Sequence, residues 1–227
     1  MRFVNWCAVI TVLLFFTGCP QWHTPERDPL PEEPPPFSWS DELFASEKIE
    51  DGLTLTNFKT NDLKYWTHEG ATVWTVWGET GTVFNSRKVS MSKPIGFSGG
   101  GYGIVFCHNI HDIDGESVPV MLVVMINNSE QYIIGKAVGG VFTDFGWWKS
   151  TPHLRHGAGS LNEIIVIYEE DIEKYCLIIN GNIIERFSDD NDDYPVLRSG
   201  RNGYIAVITP FDNFPVSGID IYFWEKK

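Results

Sequence analysis

Cys176-Leu177-Ile178-Ile179-Asn180-Gly181-Asn182-Ile183-Ile184 decides the fold class. Two aliphatic runs flank Asn180-Gly181, a pair that can take positive φ at both centres of a type I′ turn, so the stretch reads as a two-residue β-hairpin. Working outward, the same pattern recurs: short β-branched and aromatic runs separated by Gly, Asn, Asp and Pro. The clearer candidate strands are 53–58, 71–77, 82–89, 103–107, 118–126, 131–136, 163–168, 175–179, 183–187, 203–208 and 219–224. No stretch carries a sustained helical stripe, so the chain reads as all-β, and eleven runs suit two packed antiparallel sheets. Ile164-Ile165-Val166-Ile167 is apolar at both parities, which predicts a strand covered on both faces.

The bulk numbers support one folded unit. The 227 residues are 43% hydrophobic and 14% aromatic, enough apolar surface for a sizeable core and far from a disordered profile. Thirty acidic against seventeen basic residues give a formal charge of -13. Such a surface repels phosphate backbones, which argues against nucleic acid as a partner and against a lipid surface held through charge.

The N-terminus reads as an export signal. Arg2 precedes an apolar run, broken only by Thr11, that is too short to span a bilayer and suits a cleaved signal over residues 1–18. Phe16-Thr17-Gly18-Cys19 resembles the lipobox of bacterial lipoproteins, with Phe16 where an aliphatic residue is more usual. The resemblance implies that Cys19 is diacylated and becomes the new N-terminus, anchoring the chain to a membrane of the bacterial cell envelope. Residues 19–40 then form a tether: between Pro20 and Pro36 lie seven of the thirteen prolines, interleaved with Glu26, Asp28, Glu32 and Glu33. A stretch without donors or an apolar face extends at about 3.1 Å per residue and does not pack. The β domain is expected over 41–227.

Several segments carry a family resemblance. Gly101-Tyr102-Gly103-Ile104-Val105-Phe106, Gln131-Tyr132-Ile133-Ile134-Gly135-Lys136, the Tyr175 to Gly181 hairpin, Ser199-Gly200-Arg201-Asn202-Gly203-Tyr204 and Phe211-Asp212-Asn213-Phe214 follow one another in an order similar to concanavalin A-like and laminin-G-like domains. The resemblance implies a jelly-roll sandwich with a curved sheet. It leaves function open between lectins, adhesion modules, glycanases and spacers.

Four groups of residues are candidates for chemistry. Glu169, Asp171 and Glu173 alternate as the carboxylates of sandwich-fold glycanases do, but they lie between two apolar runs, where a solvated hairpin connection is expected. Asp189, Asp190, Asp192 and Asp193 cluster the oxygen ligands that Ca²⁺ prefers, without the central Gly of an EF-hand loop. Trp147, Trp148, His153 and His156 form a candidate ligand-binding segment; adjacent tryptophans on an extended chain point opposite ways, and an outward indole can stack on a sugar ring. Cys107 and Cys176 remain after the signal and the anchor claim the other two; export permits a disulfide, and two buried thiols are the equal alternative. The reading that results is an envelope-anchored, non-enzymatic module for a glycan or a protein. A sandwich-fold glycan hydrolase and a purely structural lipoprotein are its rivals.

Overall fold

The computed structural model describes residues 37–39, 41–49, 52–62, 70–113, 115–189, 196, 198–213 and 216–226. The strands are β1 (Phe37–Trp39), β2 (Phe44–Lys48), β3 (Leu53–Thr60), β4 (Ala71–Trp77), β5 (Ser86–Ile95), β6 (Tyr102–Ile113), β7 (Glu116–Ile126), β8 (Gln131–Val138), β9 (Val141–Asp144), β10 (Lys149–Ser150), β11 (Asn162–Glu169), β12 (Lys174–Ile179), β13 (Asn182–Phe187), β14 (Arg201–Ile208) and β15 (Ile219–Lys226). A single 3₁₀ turn at Asp41–Leu43 is the only helical element among the described residues. Sheet A runs β1-β4-β14-β6-β7-β8-β10 with β9 also on β8, and sheet B runs β13-β12-β11-β5-β15-β3-β2. This is the two-sheet jelly-roll sandwich expected.

Pairing is antiparallel throughout except at β1, which runs parallel to β4 with Phe37 opposite Thr72. Phe37–Trp39 fell within the expected tether, so the folded unit begins before residue 41. The Asn180-Gly181 turn is as read: φ is 49° at Asn180 and 82° at Gly181, and β12 pairs with β13 across it. The eleven candidate strands all fall on observed ones, but 82–89 is displaced. The strand starts at Ser86 and continues to Ile95 through Ser90, Ser92, Lys93 and Pro94, polar residues that hid its second half.

One core lies between the sheets, with Phe58, Met91, Ile164 and Phe223 of sheet B against Tyr102, Phe106, Leu122 and Tyr204 of sheet A. Tyr204 stacks on Phe223 with ring centroids 4.3 Å apart. Through this core passes Arg87, whose side chain binds Glu225 at 2.8 and 3.0 Å and donates to the carbonyls of Val105 and Gly203 on the opposite sheet. The Tyr204 hydroxyl donates to the same carboxylate at 2.8 Å. A buried charge so completely satisfied holds the two sheets in one register, and removing one partner costs about 3–5 kcal/mol.

The strand buried on both faces is β7, where Val120 through Ile126 are all buried, and not β11. In β11, Ile164 and Val166 are buried while Ile165 and Ile167 are only half-buried. Their apolar parity is spent on cross-strand contact: Ile165 lies opposite Ile178 and Ile167 opposite Cys176, on the outer face of sheet B.

Candidate functional site

The two outer faces differ. On sheet A, Trp74, Val105, Ile205, Met121, Val123, Met125 and Ile133 form a second buried apolar cluster, with Phe142 and Trp148 packed against it.

Sheet B's outer face is polar around β15, beyond the aliphatic pairs of β11 and β12. Ile219, Ile221 and Phe223 enter the core, so Asp220, Tyr222 and Trp224 point away from it. Tyr222 and Trp224 stack, their centroids 5.8 Å apart and planes at 25°, as a ridge along the strand. Register sets the neighbours. Trp224 lies opposite Ser90 on one side and Leu55 on the other, Tyr222 opposite Ser92 and Asn57, and Ser90 in turn opposite Glu163.

The small serines of β5 leave a trough beside the ridge. A groove of about 710 Å³ is lined by Lys88, Ser90, Ser92 and Trp224, with Gly159 and Leu161 as part of its wall. A second groove of about 430 Å³ lies on the other flank, lined by Ala45, Glu47, Leu55, Asn57 and Tyr222. An aromatic ridge between grooves floored by hydroxyl, amide and charged groups can stack on apolar ring faces and hydrogen-bond their edges.

The polar groups are held in place. Asn57 donates to Asp220 Oδ1 at 2.6 Å, and the Tyr222 hydroxyl donates to Asp220 Oδ2 at 3.2 Å. The Asp220 charge raises the Tyr222 phenol pKa above its ordinary value, so the ring keeps its proton and its apolar face. Lys88 pairs with Glu163 at 2.7 Å across the strands.

Carboxylate spacing bears on hydrolysis. Glu163 and Asp220 are two strands apart and offset by four residues, which places them roughly 16 Å apart at about 4.8 Å per strand and about 3.3 Å per residue. A glycosidase pair needs about 5 to 9.5 Å. Glu225 also lines the larger groove, but Arg87 and Tyr204 hold its oxygens on the core side.

The sequence candidates are distributed differently. Trp147 is 79% exposed, in a turn at φ 59°, where Asp144 accepts from its backbone N–H. Trp148 turns the other way, through the bend at Trp147 rather than by strand alternation. It covers the outer face of sheet A, where a side chain at Gly101 would meet its ring at 3.1 Å. His153 and His156 are exposed on the β10–β11 connection, and their carbonyls accept from Asn180 and Ser160. None of the four lines either groove.

Asp189 is the one described member of the acidic run proposed for Ca²⁺. Its carboxylate is buried against Lys136, at 3.0 and 3.1 Å, and accepts the Val196 N–H at 2.8 Å, closing a core ion pair. Asp190, Asp192 and Asp193 lie outside the described residues, as do the signal 1–18, Cys19 and the tether apart from Phe37–Trp39.

The acidic run sits where the hairpin connection was expected. Glu169 ends β11 paired to Arg186 at 2.6 Å, and Glu170 begins the turn paired to Arg198 at 2.6 Å. Cys107 and Cys176 are free and buried, Cys107 with its sulfur 3.5 Å from the Tyr175 hydroxyl. Burial pushes the Cys107 thiol up to about 11, the opposite of a nucleophile.

Sequence reasoning missed the Tyr222–Trp224 ridge, although a signal was present. In Ile219-Asp220-Ile221-Tyr222-Phe223-Trp224 both parities carry aromatics, and Asp220 alone marks the outward one.

No protein-family model matches the chain, and no curated protein matches it. Among solved structures it is similar to a Bacillus licheniformis beta-glucanase, with 8% identity and a TM-score of 0.51 over 85% of this chain and 86% of that one. It is also similar to the carbohydrate binding module CBM66 from Bacillus subtilis, with 12% identity and a TM-score of 0.49 over 84% of this chain and 99% of that one. At such identities the likeness shows the jelly-roll fold alone.

Proposed function

We propose that the folded domain is a non-enzymatic module that binds a glycan along the outer face of sheet B, and that a lipid on Cys19 holds it at the bacterial cell envelope. The observation that carries the reading is the Tyr222–Trp224 stack standing between two polar-floored grooves. Indole and phenol faces take up the C–H faces of sugar rings, while Ser90, Ser92, Asn57 and Lys88 offer hydrogen bonds to hydroxyls. The spacing of Glu163 and Asp220 disfavours hydrolysis on that face.

The test is a glycan-array screen of the wild-type chain beside Trp224→Ala and Tyr222→Ala, with and without Ca²⁺. The expected result is specific binding that weakens about tenfold or more in both variants, the equivalent of about 1.4 kcal/mol. Binding that survives both substitutions moves the site off sheet B. Release of reducing sugar from a bound glycan turns the reading to a hydrolase. No binding at all turns it to a protein-binding or structural role.

A further inference from the structure

One end of the sandwich presents aromatic rings to solvent on a stiff support. Phe97, 40% exposed, and Phe211, 73% exposed, are in contact with ring centroids 5.1 Å apart, and Val216, five residues after Phe211, is 80% exposed. The support is buried and charged. Asp212 accepts from the Phe97 N–H at 2.7 Å through one oxygen and from the Thr209 N–H at 2.7 Å and hydroxyl at 3.0 Å through the other, tying the two loops together. From below, buried Lys93 donates to the Phe97 carbonyl at 2.7 Å and to that of Gly100. The clamp holds both phenyl rings at the surface.

The position of this end is informative. Strand β14 enters the Thr209–Gly218 loop after Ile208, which lies opposite Ala71 at the start of β4. Strand β1 runs parallel to β4 from Phe37 opposite Thr72, so the chain ahead of Phe37 reaches the sandwich at this same end. Charge is divided along the same axis. Exposed Glu79, Asp112, Glu116, Glu170, Asp171 and Glu173 all lie at the opposite end, while the described segments at the Phe97–Phe211 end expose Glu42 and Asp62, with Glu130 half-exposed, against Arg155.

We infer that this end docks on a lipid bilayer, with Phe97 and Phe211 entering just below the headgroups and the acidic end turned away. The inference rests on the anchor reading for which surface is nearby; the ring pair and the charge division stand without it. Rigid aromatic tips suit the interface because they bury apolar area at little entropic cost, and keeping the acidic end distant avoids repulsion from anionic lipid. Docking would leave the grooves of sheet B running up from the membrane and open along the side.

The experiment uses the full chain carried by its acyl group on phosphatidylcholine vesicles that contain nitroxide-labelled lipid. A thiol-reactive fluorophore is placed at Val216→Cys in one preparation and at Asp171→Cys in another; buried Cys107 and Cys176 stay unlabelled. Quenching at position 216 is expected to be at least threefold stronger than at 171, and to fall to the 171 level when Phe97→Ser and Phe211→Ser are added. Equal quenching at both positions overturns the docking and hands the ring pair to a protein partner. Quenching at 216 that survives the double substitution also overturns it.

The anchor is read separately, from the mass of the Cys19 peptide and from flotation of a Cys19→Ser chain. If Cys19 carries no lipid the anchor reading fails, and the same quenching ratio is then measured with the chain added to vesicles, so each idea falls by its own measurement.

Discussion

Sheet A and sheet B share one core and treat their outer faces in opposite ways. Sheet A buries Val105, Met121 and Val123 on its outer face under a cover that includes Trp148 and Phe142, whereas sheet B leaves Tyr222, Trp224, Ser90 and Lys88 at the surface. The amino-acid types overlap, since each face has tryptophan and aliphatic residues. What separates them is the surroundings: Val105 and Gly135 lie across the strands from Val123, whereas Ser90, Ser92 and Asn57 lie across from the ridge and Asp220 precedes it on its own strand. A tryptophan therefore reads as cover on one face and as a contact surface on the other.

The largest effect should come from the same charge placed on each face. Val123→Asp buries an unpaired carboxylate in the middle of β7 and should cost about 4 kcal/mol or more, enough to unfold much of the population, while Ile165→Asp, opposite Lys88, should cost about 1 kcal/mol or less in urea unfolding. Equal costs would erase the distinction between the faces.

Acid should separate the sheets next. Burial and then the Arg201 charge depress His108, on β6 of sheet A, to about 4. Its unfolded value is about 6.5, so the unfolded chain binds more protons between those values, and stability present above about pH 6.5 is lost as the pH falls toward 4. The loss from this group is about 3 kcal/mol, and His108→Gln should remove that part of the slope. A slope unchanged in the variant would assign acid sensitivity elsewhere.

The two tryptophans give a crossed prediction. Trp148→Ala should cost about 2 kcal/mol by uncovering sheet A and leave glycan affinity unchanged. Trp224→Ala should weaken glycan binding with a smaller loss of stability. If Trp148→Ala abolishes binding instead, the ligand face is sheet A. The smallest effect is at Trp147, whose φ of 59° is strained for a residue with a Cβ. Trp147→Gly should raise stability by about 0.5–1 kcal/mol, visible as a higher urea midpoint.

Legibility followed the strength of local signals. The Asn180-Gly181 hairpin was readable because two adjacent residues specify the turn by themselves. The second half of β5 was not, since Ser90, Ser92 and Lys93 look like a loop until a neighbouring strand supplies their hydrogen bonds, and β1 was hidden behind a proline run. The doubly buried strand was assigned to β11 and belongs to β7, because apolar residues at both parities announce contact without saying whether it comes from above or from the strand alongside. Among the site residues, the adjacent tryptophans were expected to point opposite ways without a choice of which is outward; Trp147 is the exposed one and Trp148 is cover, and the Tyr222–Trp224 ridge was masked by Phe223 between its members.

By itself the sequence determined that the chain is all-β, where most strands lie, where the sharpest hairpin turns, and that the surface is acidic, because these follow from side-chain period, turn chemistry and formal charge acting within a few residues. Only the tertiary structure decided which sheet is covered on its outer face, that Arg87 of one sheet is anchored on carbonyls of the other, and that Phe97 and Phe211 meet at the end where the chain arrives. Those depend on residues more than a hundred positions apart being placed in register, and no local pattern encodes that register.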